Sequence, residues 1–241
     1  MIILAIAVTS VLSLGIPAYA HKPLEAENNN KLENSLQIPN PRVSWVIYKQ
    51  IQAGDVNYYR FNTSTGDRFY AEIDIPKIDR LLDFSPSIII VGKDLDKNLV
   101  KGQDIFVREI SAPASLPEQY SDALAIDYTG TIPSREFYEE FSQTTFWQRQ
   151  KFVIDSMPTN STYYLMVASK QDGKYALAIG EIEEFGLSEF ITVLPRAWFQ
   201  IKFFFEDYIT PSIVIAILIV VPAIIFAKRK KYTIRSKAKP S

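Results

Sequence analysis

The chain of 241 residues has no cysteine and one histidine, His21. Without thiols there is no disulfide framework, thiolate zinc site, iron–sulfur cluster, lipidated cysteine or cysteine nucleophile. A lone imidazole has no second histidine with which to ligate a metal. The chain also lacks G-x-S-x-G, H-E-x-x-H and a phosphate-cradling glycine loop. Nor is the near-neutral charge, 26 basic against 27 acidic residues, uniform along the chain. Residues 21–208 hold all 27 acids and 19 of the bases, a net of −8, and the segment after Tyr208 holds the other 7 bases and no acid.

Long apolar runs occur only at the ends. Ile2–Ile16 is uncharged and leads through Pro17, Ala18, Tyr19 and Ala20 to polar His21 and Lys22. A run of this kind ending in small-x-small predicts a signal peptide over 1–20, cut after Ala20, although no basic residue precedes it. Ile209–Ala227 is a second uncharged run, 19 residues long, close to what one helix needs to cross a hydrocarbon core. Pro211 falls in its first turn and Pro222 in its interior, where a kink is expected. Lys228, Arg229, Lys230, Lys231, Arg235, Lys237 and Lys239 follow, in a basic tail over 228–241. Basic residues directly after a span mark the cytoplasmic side. The expectation is a single-pass type I protein of the plasma membrane, its N-terminal domain outside the cytoplasm. The tail's topological role leaves no reason to expect a nucleic-acid partner.

Residues 21–41, with three consecutive asparagines and no apolar run, read as a flexible lead-in. From Val43 apolar residues recur with a period of two. Trp45, Ile47 and Ile51 precede a Gly54-Asp55 turn, Val56 to Asn62 alternate, and Gly66-Asp67 leads into Phe69, Ala71, Ile73 and Ile75. Further short runs cover Ser87–Val91, Asp104–Ile110, Phe146–Ile154, Tyr163–Ala168 and Tyr175–Ile179. Short β-branched and aromatic segments between Gly-Asp turns predict an antiparallel all-β domain over 42–181. The unbroken Ile88-Ile89-Ile90-Val91 predicts a central strand covered on both faces.

SWVIYKQIQAGDVNYYRFNTSTGDRFYAEIDIP resembles the opening half of a bacterial and archaeal pre-peptidase C-terminal (PPC) domain, and NSTYYLMVASKQDGKYALAIG resembles its closing hairpin. The matching positions are Ala53-Gly54-Asp55, Tyr58 to Phe61, Gly66-Asp67, Tyr163, Tyr164, Leu165, Val167, Gly173, Tyr175, Leu177 and Ile179, with Ser161 where that family has glycine. The resemblance covers about residues 43–180 and implies a jelly-roll-like β-sandwich. It does not extend to the middle section, 92–145, or to the apolar C-terminal run, and no peptidase domain accompanies it.

Between domain and span, residues 182–208 change to a period of three to four. Leu187, Phe190, Ile191, Leu194, Trp198, Ile201, Phe205 and Tyr208 form one apolar helical face. Pro195 falls inside it, and the density of aromatic residues suits a water–lipid boundary. This predicts an amphipathic juxtamembrane helix that lies on lipid or docks on a partner membrane protein.

Candidate chemistry is sparse. Cleavage after Ala20 would make His21 the mature N-terminus, but a histidine-brace copper site needs a second histidine. Asp94, Asp96 and Asn98 are spaced like the start of a calcium loop, yet Leu99 and Ile105 stand where an EF-hand requires Gly and Glu, so a turn is the expectation. Glu136, Glu139, Glu140 and Asp127 are the acids nearest to a glycosidase pair. Asn62 and Asn160 begin glycosylation sequons. Tyr58, Tyr59, Tyr163, Tyr164 and Trp147 could line a carbohydrate-binding face, although strand alternation should place about half of them in the core. The expected function is therefore a non-catalytic binding or organising module: an adhesion, envelope or accessory subunit that needs no cofactor. Its expected partners are membrane lipid and a surface glycan or another membrane or envelope protein. The alternatives are a carboxylate-based hydrolase, and a spacer whose function lies in the membrane helices.

Overall fold

The structure, a computed structural model, describes residues 21–113, 116, 120–184 and 186–237. The predicted signal peptide lies outside them. The described chain is mostly β, with two mixed sheets and two helices. In chain order the strands are β1 (Lys22–Pro23), β2 (Leu36–Gln37), β3 (Trp45–Ile51), β4 (Val56–Thr63), β5 (Phe69–Pro76), β6 (Ser87–Gly92), β7 (Val100–Gln103), β8 (Ile105–Ser111), β9 (Asp122–Tyr128), β10 (Glu136–Glu139), β11 (Thr144–Ile154), β12 (Ser161–Ala168) and β13 (Gly173–Ile179). The helices are α1 (Leu187–Phe204) and α2 (Ile209–Lys237).

One sheet runs β1-β3-β13-β5-β11-β10, with β7 also on β11, and the other β2-β4-β12-β6-β9-β8. Strand alternation sends Ile47, Ile73, Phe152 and Leu177 from the first sheet, and Tyr59, Phe61, Ile88, Ile90 and Leu165 from the second, into one core. Phe61 stacks on Phe69 across the two sheets at 4.3 Å between ring centroids. Gly54 and Gly66 carry φ of 86° and 89° in the Gly-Asp turns that reverse the chain, a conformation a Cβ disfavours. Ile88–Val91 is central, as its composition predicts, paired to β12 on one side and β9 on the other.

Two expectations need correction. The lead-in is not a loose tail: β1 adds in parallel to β3 and β2 adds in parallel to β4. Asn29 donates to Tyr58 O at 3.1 Å, and Ile38 is fully buried. The polar composition hid this, because the segment is held through backbone pairing and a few anchors instead of an apolar run. These two short parallel pairings also make the sheets mixed where a wholly antiparallel arrangement was expected.

The middle section carries β7, β9 and β10, which the sequence pattern did not reveal. β11 bulges between Gln148 and Lys151. There Arg149 donates to Phe84 O at 3.2 Å and to Leu82 O at 2.7 Å, and Gln150 donates to Pro86 O, so the bulge fastens the β5–β6 loop.

Candidate functional site

Strand alternation on β5 puts Phe69, Ala71, Ile73 and Ile75 in the core and turns Tyr70, Glu72 and Asp74 to the outer face of the sheet. An outer face normally meets water, yet all three of these residues are buried. Ala178 lies opposite Glu72 and Ala176 opposite Asp74 on β13, with Val46 and Tyr48 next across on β3. These small residues leave a shallow seat, and α1 with the Glu139–Phe141 turn closes over it. His21, Pro23, Val46, Tyr48, Glu139, Phe141, Leu194, Ala197 and Ile201 line the resulting cavity, which gives a water-sized body about 20 Å³. That is room for about one water molecule and far too little for a sugar ring or a peptide.

The two acids of β5 differ in their partners. Glu72 accepts from Gln148 Nε2 at 2.8 Å and from the Tyr70 hydroxyl, and Lys151 Nζ lies 3.7 Å away. Asp74 Oδ1 is buried without a hydrogen-bond partner. Burial, then the neighbouring Glu72 anion and its hydrogen bond, push the Asp74 carboxyl well above the usual range. Asp74 is thereby biased towards its protonated form. His21 shares a hydrogen bond with Ser44 Oγ at 2.5 Å. Burial pushes its imidazole below the ordinary value, while the Glu72 and Glu139 charges pull the other way. Burial also raises the Tyr48 phenol, with Glu139 and Asp74 adding to the effect. Chemically, the cavity has room for about one water between sheet and helix.

The junction of the helices is pinned to the same sheet. Lys174 Nζ donates to Phe204 O at 3.0 Å and to Glu206 Oε1 at 2.9 Å, and Arg80 pairs with the same carboxylate. Phe205 packs edge-on to Phe146 at 4.8 Å, and Phe204 lies 5.2 Å from Tyr48. Glu206 takes a φ of 62°, and Asp207 Oδ1 accepts from Thr210 N at 3.0 Å, capping the first turn of α2.

These contacts revise the amphipathic-helix expectation. Ile201 is buried, Leu194 lines the cavity beneath the helix, and Phe205 packs on Phe146, so much of the described apolar face meets the protein's own sheet. Trp198 is half-buried with the Lys202 ammonium 5.6 Å from its ring, and Tyr208 is exposed. The side chains of Leu187, Phe190 and Ile191 lie outside the described residues.

The other candidates are dispersed, and most hold to local partners. Glu136 pairs with Lys77 at 2.7 Å, Asp127 with Arg108 at 3.0 Å, and Glu139 caps its own turn through Phe141 N and Ser142 N. Asp96 accepts from Asn98 N at 2.7 Å, forming a turn. Among the described residues, no group of three or more His, Asp or Glu could hold a metal ion. Tyr59, Tyr163 and Trp147 are core residues. Tyr58 and Tyr164 are half-buried on the second sheet's outer face, packed with Tyr120, Leu116 and Met166. Asn62 and Asn160 are both exposed at one end of the β4–β12 pair, where Thr162 Oγ1 donates to Asn62 Oδ1 at 2.7 Å.

Sequence reasoning did not single out Glu72 and Asp74. The available signal was Ala176 and Ala178 on the neighbouring strand together with a nearby helix that needed a seat. No protein-family model matches the chain, and no curated protein matches it.

Proposed function

We propose that this chain is a membrane-anchored extracytoplasmic module that works by binding and organisation, a PPC-like jelly roll carried on a single type I span. The observation that carries the reading is α2. Its segment Ile209–Arg229 is 21 residues long with a mean hydropathy of 2.8, and only 6% of it is buried against the rest of the protein. A core helix of that composition would be covered by its own protein, so lipid is the solvent that suits it. Basic residues follow it directly, which supports a cytoplasmic C-terminus and a two-sheet body outside.

Binding is favoured over hydrolysis by what surrounds the acids. Glu72 and Asp74 are buried in the outer face of their sheet, the cavity under α1 has room for about one water, and Glu136, Glu139 and Asp127 each hold a structural partner. The partner class is a surface glycan or a neighbouring membrane or envelope protein. Two measurements on native cells test this. External protease should remove the body and leave a protected fragment containing α2 and the basic tail. Crosslinking of intact cells followed by mass spectrometry should recover a stoichiometric protein partner or a glycan. A body shielded from external protease overturns the topology, and an uncrosslinked chain with no glycan retention overturns the binding role.

A further inference from the structure

Exposed aromatic residues gather where the two-sheet body meets α2. β10, an edge strand, carries Phe137 at 38% exposure and Tyr138 at 56%. Phe137 stands directly opposite Phe146, and Phe146 packs edge-on to Phe205, four residues before α2 begins. On the helix side, Phe203 and Tyr208 are 46% and 60% exposed, with rings 6.0 Å apart. Phe137 thus lies, through Phe146, beside the segment that leads into α2, and Tyr138 is next to it on the same edge strand, facing the other side of the sheet.

Their position relative to α2 is fixed. The turn from Phe205 to Tyr208 is held to the body by Lys174 and Arg80 through Glu206, and to α2 by Asp207. A body held in this way cannot tumble freely above a bilayer that α2 enters. The same side of the body meets the headgroup layer, and amphipathic rings are the side chains enriched in that layer. An edge strand facing only water is usually protected by charge, proline or a cover. β10 is a short edge with an acid at each end, Glu136 and Glu139, and two exposed rings between them.

We propose that β10 is a second membrane contact, with Phe137 and Tyr138 seated in the headgroup region of the leaflet that α2 enters from outside, so that the body leans on lipid as well as hanging from its span. This rests on the reading of α2 as a membrane span.

The absence of cysteine makes a direct test available, since any introduced thiol is the only one. The full chain is reconstituted in phosphatidylcholine–phosphatidylglycerol liposomes with a single environment-sensitive fluorophore at Y138C, F137C, F106C or I217C. Phe106 is an exposed ring on edge strand β8 of the other sheet, and Ile217 is inside α2. The expected result is a blue shift, loss of iodide quenching and gain of quenching by headgroup-proximal spin-labelled lipid at positions 137 and 138, with neither lipid quenching nor protection at 106. Labels at 137 and 138 as open to iodide as the one at 106, with 217 buried in lipid, overturn the seating and leave the span intact. Protection from iodide without lipid quenching also overturns it, because a second copy or another protein then covers the edge. A water-exposed label at 217 overturns the membrane reading and the seating together. Labelling at both 137 and 138 guards against a local distortion at either.

Discussion

The Lys174 ammonium lies 2.9 Å from the Glu206 carboxylate, bridging the last strand of the body to the turn between the two helices. Lys174 is mostly buried, and Arg80 reaches the same carboxylate from the β5–β6 loop. One acid therefore gathers three parts of the chain at the point where α2 departs.

Replacing Glu206 by Gln should loosen that junction. The carboxylate is about one-third exposed, so solvent screening limits the loss to about 1 kcal/mol, or about 3 °C in Tm for a body of this size. The hydrogen bond from Lys174, foremost, holds the Glu206 pKa below its ordinary value. A depressed acid contributes stability above its unfolded pKa, about 4.3, and loses it as pH falls through the lower folded value. Wild type and E206Q should differ in Tm at pH 7 and converge in strong acid. Equal melting at every pH would show that the bridge is only a surface contact.

Asp74 behaves in the opposite sense. Burial and Glu72 raise its folded pKa, so between the unfolded and the folded pKa folding takes up a proton that the unfolded chain has released. Its presence therefore reduces stability as pH climbs from the unfolded pKa, about 3.9, towards the folded one, by about 1.4 kcal/mol for every tenfold difference in proton affinity between the two states. Asp74→Asn keeps the shape and can still donate to Glu72. Chemical denaturation should find D74N the more stable protein at pH 7, with the advantage vanishing below about pH 4. A destabilised D74N at neutral pH would mean that Asp74 is ionised and paired.

His21 is the only histidine, so its imidazole resonances can be followed without assignment. Burial beneath α1 lowers its pKa, and the unfolded chain therefore binds the proton more tightly. Stability contributed by the neutral ring is complete above the unfolded pKa, about 6.5, and declines as pH falls below it. An NMR titration of the full chain in detergent should give a midpoint below about 6.5. A midpoint above that value would show the Glu72 and Glu139 charges outweighing burial.

The contrast between the two faces of β5 explains what was legible in the sequence. Phe69, Ala71, Ile73 and Ile75 announce a buried face by alternation alone, and the Gly54-Asp55 and Gly66-Asp67 turns delimit β4. Local chemistry determines those features. Glu72 is enclosed in part by Gln148 and Lys151 on β11, far later in the chain, and no local pattern in β5 encodes that burial. The lead-in is illegible for a related reason, since β1 and β2 are two residues each and their pairing depends on the edges of β3 and β4. The periodicity of α1 does announce an apolar face. What that face covers is not in the periodicity.

Within the core, Tyr175 is the hub of a polar contact between the sheets. Its hydroxyl lies 2.7 Å from the Tyr59 hydroxyl and accepts from Asn57 Nδ2 at 2.8 Å, and all three residues are buried. Tyr175→Phe removes an acceptor and leaves two polar groups to find new partners in an apolar core, at about 1–3 kcal/mol. Tyr59→Phe leaves the Asn57 bond in place and should cost less. The double variant should cost less than the sum of the two, because the bond between the hydroxyls is already lost in either single variant. Urea denaturation of the four proteins measures this order directly. A Tyr59→Phe variant weaker than Tyr175→Phe would move the hub to the other sheet. Strict additivity would show that the two hydroxyls do not interact at all.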